Sequence, residues 1–123
     1  MGGKTLGELL AGLRDVEGVR GCALSTNDGI IVRSELNGRF RDDVVSGLAS
    51  FLLSTTRRAF DEAGEASGID RFVVHATHGK MVIKRVEDAF LIVITDQFAR
   101  LDALLRTVDA VAAQMCAASR LDV

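Results

Sequence analysis

The stretch Val19-Arg20-Gly21-Cys22-Ala23-Leu24-Ser25-Thr26-Asn27-Asp28-Gly29-Ile30-Ile31-Val32 decides how the rest of the chain is read. Asn27, Asp28 and Gly29 tolerate the positive φ angles of a tight turn, and apolar or β-branched residues flank them on both sides. The segment therefore predicts a hairpin with strands over Val19 to Thr26 and Ile30 to Glu35. Arg33 and Glu35 alternate with Val32 and Ser34, as on a strand that shows one face or one edge to water.

Working outward, the pattern turns helical on both sides of the hairpin. Upstream, Thr5 and Glu8 have capping-box spacing, and Leu6, Leu9, Leu10, Leu13 and Val16 share one stripe that Gly18 ends with a left-handed residue. Gly7 and Gly12 each weaken this helix by roughly 1 kcal/mol relative to Ala, so packing must hold it. Downstream, Asp42 and Asp43 place negative charge at the start of a helix that runs to about Ala63. Val44, Leu48, Phe51, Leu52, Thr55 and Ala59 form one stripe on it; Val45, Ala49, Thr56, Phe60 and Ala63 form a second beside it. The apolar arc is wider than contact with a single sheet needs, which predicts that this helix also faces a partner.

Three short β-rich runs follow, Phe72 to Val74, Met81 to Ile83 and Phe90 to Ile94, split by turns at His78-Gly79 and Glu87-Asp88. The third run is apolar on both faces and is expected at the centre of a sheet. A last helix from Ala99 to Ala118 carries Leu101, Leu104, Leu105, Val108, Val111, Ala112 and Met115 at core spacing, with Thr95 or Asp96 expected to cap it. The order is αββαβββα, an α+β fold, expected as one domain over residues 1–123.

The chain has 123 residues, enough to bury a core without disulfides or metals, and 48% of them are hydrophobic. A net charge of −2 and the absence of Tyr and Trp leave no footprint for nucleic acid, which is not expected as a partner. The apolar run Ala89 to Ile94 is far too short to span a bilayer, so direct membrane insertion is not expected either. The opening residues lack a secretory h-region, and Leu6 stands where a myristoylation motif requires Ser or Thr. Cys22 and Cys116 show no metal-ligand spacing and read as buried cytosolic thiols, so the protein is expected in the cytoplasm.

No set of residues makes a convincing reaction centre. His75 and His78 point to opposite faces of a strand and have no Cys or carboxylate close by to complete a metal site. Asp42-Asp43 and Asp61-Glu62 are adjacent on a helix, so the members of each pair diverge by about a hundred degrees. Ser25 and Ser54 lack the setting of a nucleophile elbow, and no phosphate-binding glycine loop is present. No catalytic residue, metal or cofactor is therefore expected. Arg57-Arg58 on the long helix, joined by Arg39 and Arg41 near its start, form a candidate partner-contact patch, since arginine combines planar stacking with several donors. Phe72, Val73 and Val74 open the meander, where only Arg71 guards a potential sheet edge; two copies are expected to join edge to edge.

The αββαβββα order, the run Gly21, Ser25, Asp28-Gly29 and Val32, and the closing Phe90-Leu91-Ile92-Val93-Ile94-Thr95 resemble the roadblock/dynein light chain family from about Leu6 to Met115. The resemblance implies a five-stranded antiparallel sheet with the long helix on one face and the terminal helices on the other. It also implies a homodimer built through the strand after the long helix and through that helix. Here those are Arg71 to Thr77 and Val44 to Phe60, with Val45, Leu48, Leu52, Phe72, Val73 and Val74 as interface residues. Such dimers serve as platforms for small Ras-like GTPases, and bacterial members raise the hydrolysis rate of a polarity GTPase.

The lack of Tyr, Trp and Pro and the Ala/Arg/Leu-rich composition set this chain apart from eukaryotic motor subunits and favour a prokaryotic partner. The expected function is a non-catalytic homodimeric regulator or scaffold for a small GTPase. A nucleotide-independent adaptor for a kinase or motor component, and a small-molecule sensor with a cavity between sheet and helices, are the alternatives.

Overall fold

A computed structural model describes residues 4–36, 38, 40–64 and 68–121. The elements follow the expected order: α1 (Leu6–Arg14), β1 (Val19–Thr26), β2 (Ile31–Ser34), α2 (Asp42–Glu62), β3 (Arg71–Ala76), β4 (Gly79–Val86), β5 (Ala89–Asp96) and α3 (Leu101–Leu121). The strands form one antiparallel sheet in the order β2-β1-β5-β4-β3. The doubly apolar strand β5 lies at its centre, with Phe90 to Val93 all buried, and β3 lies at one edge. The α+β fold expected from the sequence is the observed one.

Local chemistry explains the element boundaries. The Thr5 side chain accepts from Glu8 N–H at 3.2 Å while Glu8 Oε1 accepts from Thr5 N–H at 3.1 Å, closing the capping box that starts α1. These bonds hold the Glu8 carboxyl below its usual value, since they favour the charged form. Helix α1 stops at Arg14, short of Val16, and Gly18 follows at φ 90°. Helix α2 ends at Glu62, with Gly64 at φ 90° after it.

The expected cap of α3 is corrected. Strand β5 continues through Thr95 and Asp96, and Asp96 Oδ1 instead accepts from Phe98 N–H at 2.9 Å in the following turn. The first bond of α3 runs from Leu104 N–H to Arg100 C=O at 2.9 Å.

Two apolar layers clothe the sheet. On one face α1 and α3 bring Leu9, Leu10, Leu13, Leu104, Val108, Ala112 and Met115 onto Cys22, Leu24, Val82, Leu91 and Val93. On the other, α2 brings Val45, Ala49 and Leu53 onto Ile83, Phe90 and Ile92. The Cys22 thiol donates to Leu10 C=O at 3.2 Å, and burial, followed by the nearby Glu35 carboxylate, pushes its pKa up to about 12.

Candidate functional site

The two stripes of α2 have different fates. Val45, Ser46, Ala49 and Leu53 are buried against the chain's own sheet. Ser46 donates to the Gly29 carbonyl and shares a 2.8 Å hydrogen bond with the buried Ser25 hydroxyl, while Ser50 donates to Asn27 C=O at 2.9 Å. This flank of the helix is thus keyed to the β1–β2 turn.

The side turned away from that hairpin presents Val44 (44% exposed), Leu48 (55%) and Phe51 (61%) to solvent. Positions 44, 48 and 51 recur at i, i+4 and i+7, so they make one ridge. The half-buried Leu52 lies along its inner margin. The ridge lies on the side of α2 opposite Ser46 and Ser50, which are keyed to the hairpin turn.

Strand β3 pairs residue by residue with β4, from Arg71 opposite Lys84 to Ala76 opposite Gly79. No described strand lies on its other side. Its apolar side chains serve the chain's own layers: Phe72 packs in the α2 layer and Val73 in the α3 layer, with Val74 half-buried. What the edge offers is a row of backbone N–H and C=O groups.

The expected interface residues therefore divide. Leu48 stands on the outer side of α2 with half-buried Leu52 at its inner margin, and Phe72, Val73 and Val74 lie on the free edge with their side chains engaged inward. Val45 lies in the core under α2 at 7% exposure, because its side chain is about a hundred degrees around the helix from Val44. Val44 and Phe51, given only as parts of a stripe by the sequence, join Leu48 on the uncovered ridge.

Among the described residues, Arg41, Arg57 and Arg58 are spread along and around α2. Arg57 and Arg58 are both exposed but diverge around the helix. Arg57 lines a small cleft of about 120 Å³ with Asn27, Arg85 and Phe90, on the hairpin side. Arg41 is exposed and pairs with Asp43 at 3.4 Å. Arg39 lies outside the described residues.

Elsewhere, His75 is exposed on β3, and His78 Nδ1 lies 3.3 Å from Gln97 Oε1. Among the described residues no three His, Cys, Asp or Glu side chains converge as a metal site. No helix of the described residues is long and apolar enough to cross a membrane.

The comparisons with known proteins fit this geometry. The family pattern of the Roadblock/LC7 domain matches residues 5–96. An uncharacterised protein of Methanocaldococcus jannaschii is 28% identical over 88 residues, 72% of this chain and 74% of its own. Among solved structures, a Roadblock/LC7 domain from Streptomyces avermitilis superposes with a TM-score of 0.80 at 21% identity, covering 89% of this chain and 93% of that one. Myxococcus xanthus MglB superposes with a TM-score of 0.85 at 12% identity, over 100% of this chain and 96% of that one. Helix α3 lies beyond the family match yet supplies four buried residues to the core, so it completes the same fold. With a match over most of its length and the fold to go with it, this chain belongs to the Roadblock/LC7 domain family.

Proposed function

We propose that this chain is a non-catalytic cytoplasmic regulator that pairs with a second copy of itself and, as a homodimer, binds a small Ras-like GTPase and modulates its GTP hydrolysis. The observations that carry the reading are the apolar ridge Val44, Leu48 and Phe51 left exposed on α2 and the edge of β3 that no described strand pairs. A second copy related by a two-fold axis would extend the sheet across β3 and cover both ridges against each other, satisfying backbone donors and apolar surface in one contact.

In this arrangement the domain supplies a surface rather than a reaction centre. Arg58, exposed on α2, and Arg41, exposed just before its first turn, are the partner contacts, with Arg57 offered from the hairpin flank. Family membership and the likeness of fold to MglB support a regulatory role, with the nucleotide chemistry residing in the GTPase.

The reading is tested by capturing partners on the immobilised protein with a non-hydrolysable GTP analogue and, separately, with GDP. A small GTPase retained in one nucleotide state, whose single-turnover hydrolysis changes on adding the protein, is the expected result. Capture of a kinase or motor subunit regardless of nucleotide overturns it in favour of an adaptor.

A further inference from the structure

A cavity of about 380 Å³ opens where the end of α1 meets β5 and the start of α3, on the layer opposite α2. It is lined by the apolar Val16, Gly18, Ala99, Ala103 and buried Leu104, together with Glu17, Asp96, Phe98 and Arg100. That volume lies within the range of small-molecule sites, about 300–1,000 Å³. We propose that this cavity binds a small zwitterion with an apolar body, the chemical class of leucine and the other apolar amino acids.

Three observations converge on that class. First, Phe98, in the cavity lining, stands 79% exposed, more than any other large hydrophobic side chain among the described residues. An aromatic ring left in water beside an apolar wall gains from a ligand that it can cover.

Second, the cavity collects charges of both signs that do not pair. Among the described residues Glu17, Asp96 and Arg100 make no ion pair with one another or with any other group. A ligand carrying an ammonium and a carboxylate bridges them: the ammonium meets Asp96 and Glu17, and the carboxylate meets Arg100, with charge-assisted hydrogen bonds at both ends.

Third, hydrogen bonds within the chain hold the cavity in shape. Asp96 N–H donates to Gly18 C=O at 2.9 Å, and Asp96 Oδ1 accepts from Phe98 N–H. Lys80 Nζ reaches across from β4 to Gln97 C=O at 3.1 Å and Ala99 C=O at 3.2 Å. A wall fixed in this way does not have to be ordered on binding, which lowers the cost of association. The site lies on the opposite layer from the α2 ridge, so it stands or falls independently of the dimer and of any GTPase.

The test is a titration of the ¹⁵N-labelled full chain with L-leucine, followed by amide shifts. Saturable shifts at Glu17, Gly18 and Ala99 to Leu104 in the millimolar range are expected. Removing one end of the zwitterion, as in 3-methylbutylamine or 4-methylpentanoate, should weaken binding about ten-fold. Asp96→Asn, which keeps the acceptor for Phe98 N–H, and Arg100→Gln should each do the same. Phe98→Ala should weaken binding, and Ala103→Phe should abolish it by filling the cavity, with the sheet amides unmoved. Glu17→Gln carries the charge test on an exposed residue should Asp96→Asn disturb the loop. The proposal is overturned by an absence of saturable shifts up to about 10 mM. Equal binding of all three compounds, or binding indifferent to Ala103→Phe, overturns it as well.

Discussion

Nη1 of Arg71, on edge strand β3, donates to both carboxylate oxygens of Asp109 on α3, at 3.1 and 3.0 Å. Lys84, opposite Arg71 on β4, donates to Asp70 at 2.6 Å and lies 3.6 Å from the same Asp109. Two cations and two carboxylates thus tie the edge to the helix behind it. Asp109→Asn should lower unfolding stability by about 1 kcal/mol, a modest figure because both partners of the Arg71 pair are partly solvated. Hydrogen exchange at Phe72 to Val74 should quicken with it. Equal exchange in the variant and the parent would show that the ladder to β4 alone fixes the edge.

The two stripes of α2 should separate assembly from folding. Leu48→Asp and Phe51→Asp place a charge on exposed positions and should yield monomers by light scattering, with helix content and melting temperature little changed in the isolated domain. Val45→Asp buries an unpaired carboxylate and should unfold the chain instead. Phe72→Asp should do some of both, since that ring packs in the α2 layer while its backbone lies on the edge. A Leu48→Asp variant that remains dimeric would place the contact elsewhere.

The Ser25–Ser46 pair should act as a unit. Ser46→Ala leaves the Gly29 carbonyl short of a partner and the buried Ser25 hydroxyl with only Thr26 C=O, at 3.0 Å, costing about 1–3 kcal/mol by denaturant titration. Ser25→Ala in the same background should cost less than it does alone, because its partner is already gone. Strict additivity in the double-mutant cycle would contradict the pairing.

The two thiols should differ in reactivity. Cys116 is half-buried, whereas Cys22 is fully buried and its pKa is pushed up to about 12. Near neutral pH a thiol reagent should modify Cys116 first, and Cys22 only as the chain opens.

The sign of the linked pH effect follows from the same shift. The unfolded thiol ionises near 9.0 while the folded one stays protonated. The Cys22 contribution is therefore fully present below pH 9.0 and is lost as pH rises toward 12. Cys22→Ala should flatten that alkaline decline in denaturant midpoints.

Much of this was legible in the chain itself. The turn at Asn27-Asp28-Gly29, the capping box of Thr5 and Glu8, and the doubly apolar run from Phe90 to Ile94 each fix an element through chemistry confined to a few neighbouring residues. The edge position of Phe72 to Val74 also followed from the order of the elements. Thr95 and Asp96 misled as helix caps because a residue with a short polar side chain suits a strand-ending turn as well as a helix start.

What the sequence determined, then, is the order of elements, the sheet's central strand and the presence of two apolar stripes on α2. Which stripe lies inside was decided by tertiary packing. Ala49 and Ser46 are small enough to let the helix settle on the sheet and the hairpin turn, while Leu48 and Phe51, on the far side, are left in solvent. Periodicity measures how wide an apolar arc is, but the side that goes inward depends on which shapes fit across residues far apart in the chain. The same reason brings Glu17 to Asp96 and Arg100 around one cavity: strand pairing between β1 and β5, across many intervening residues, sets that meeting.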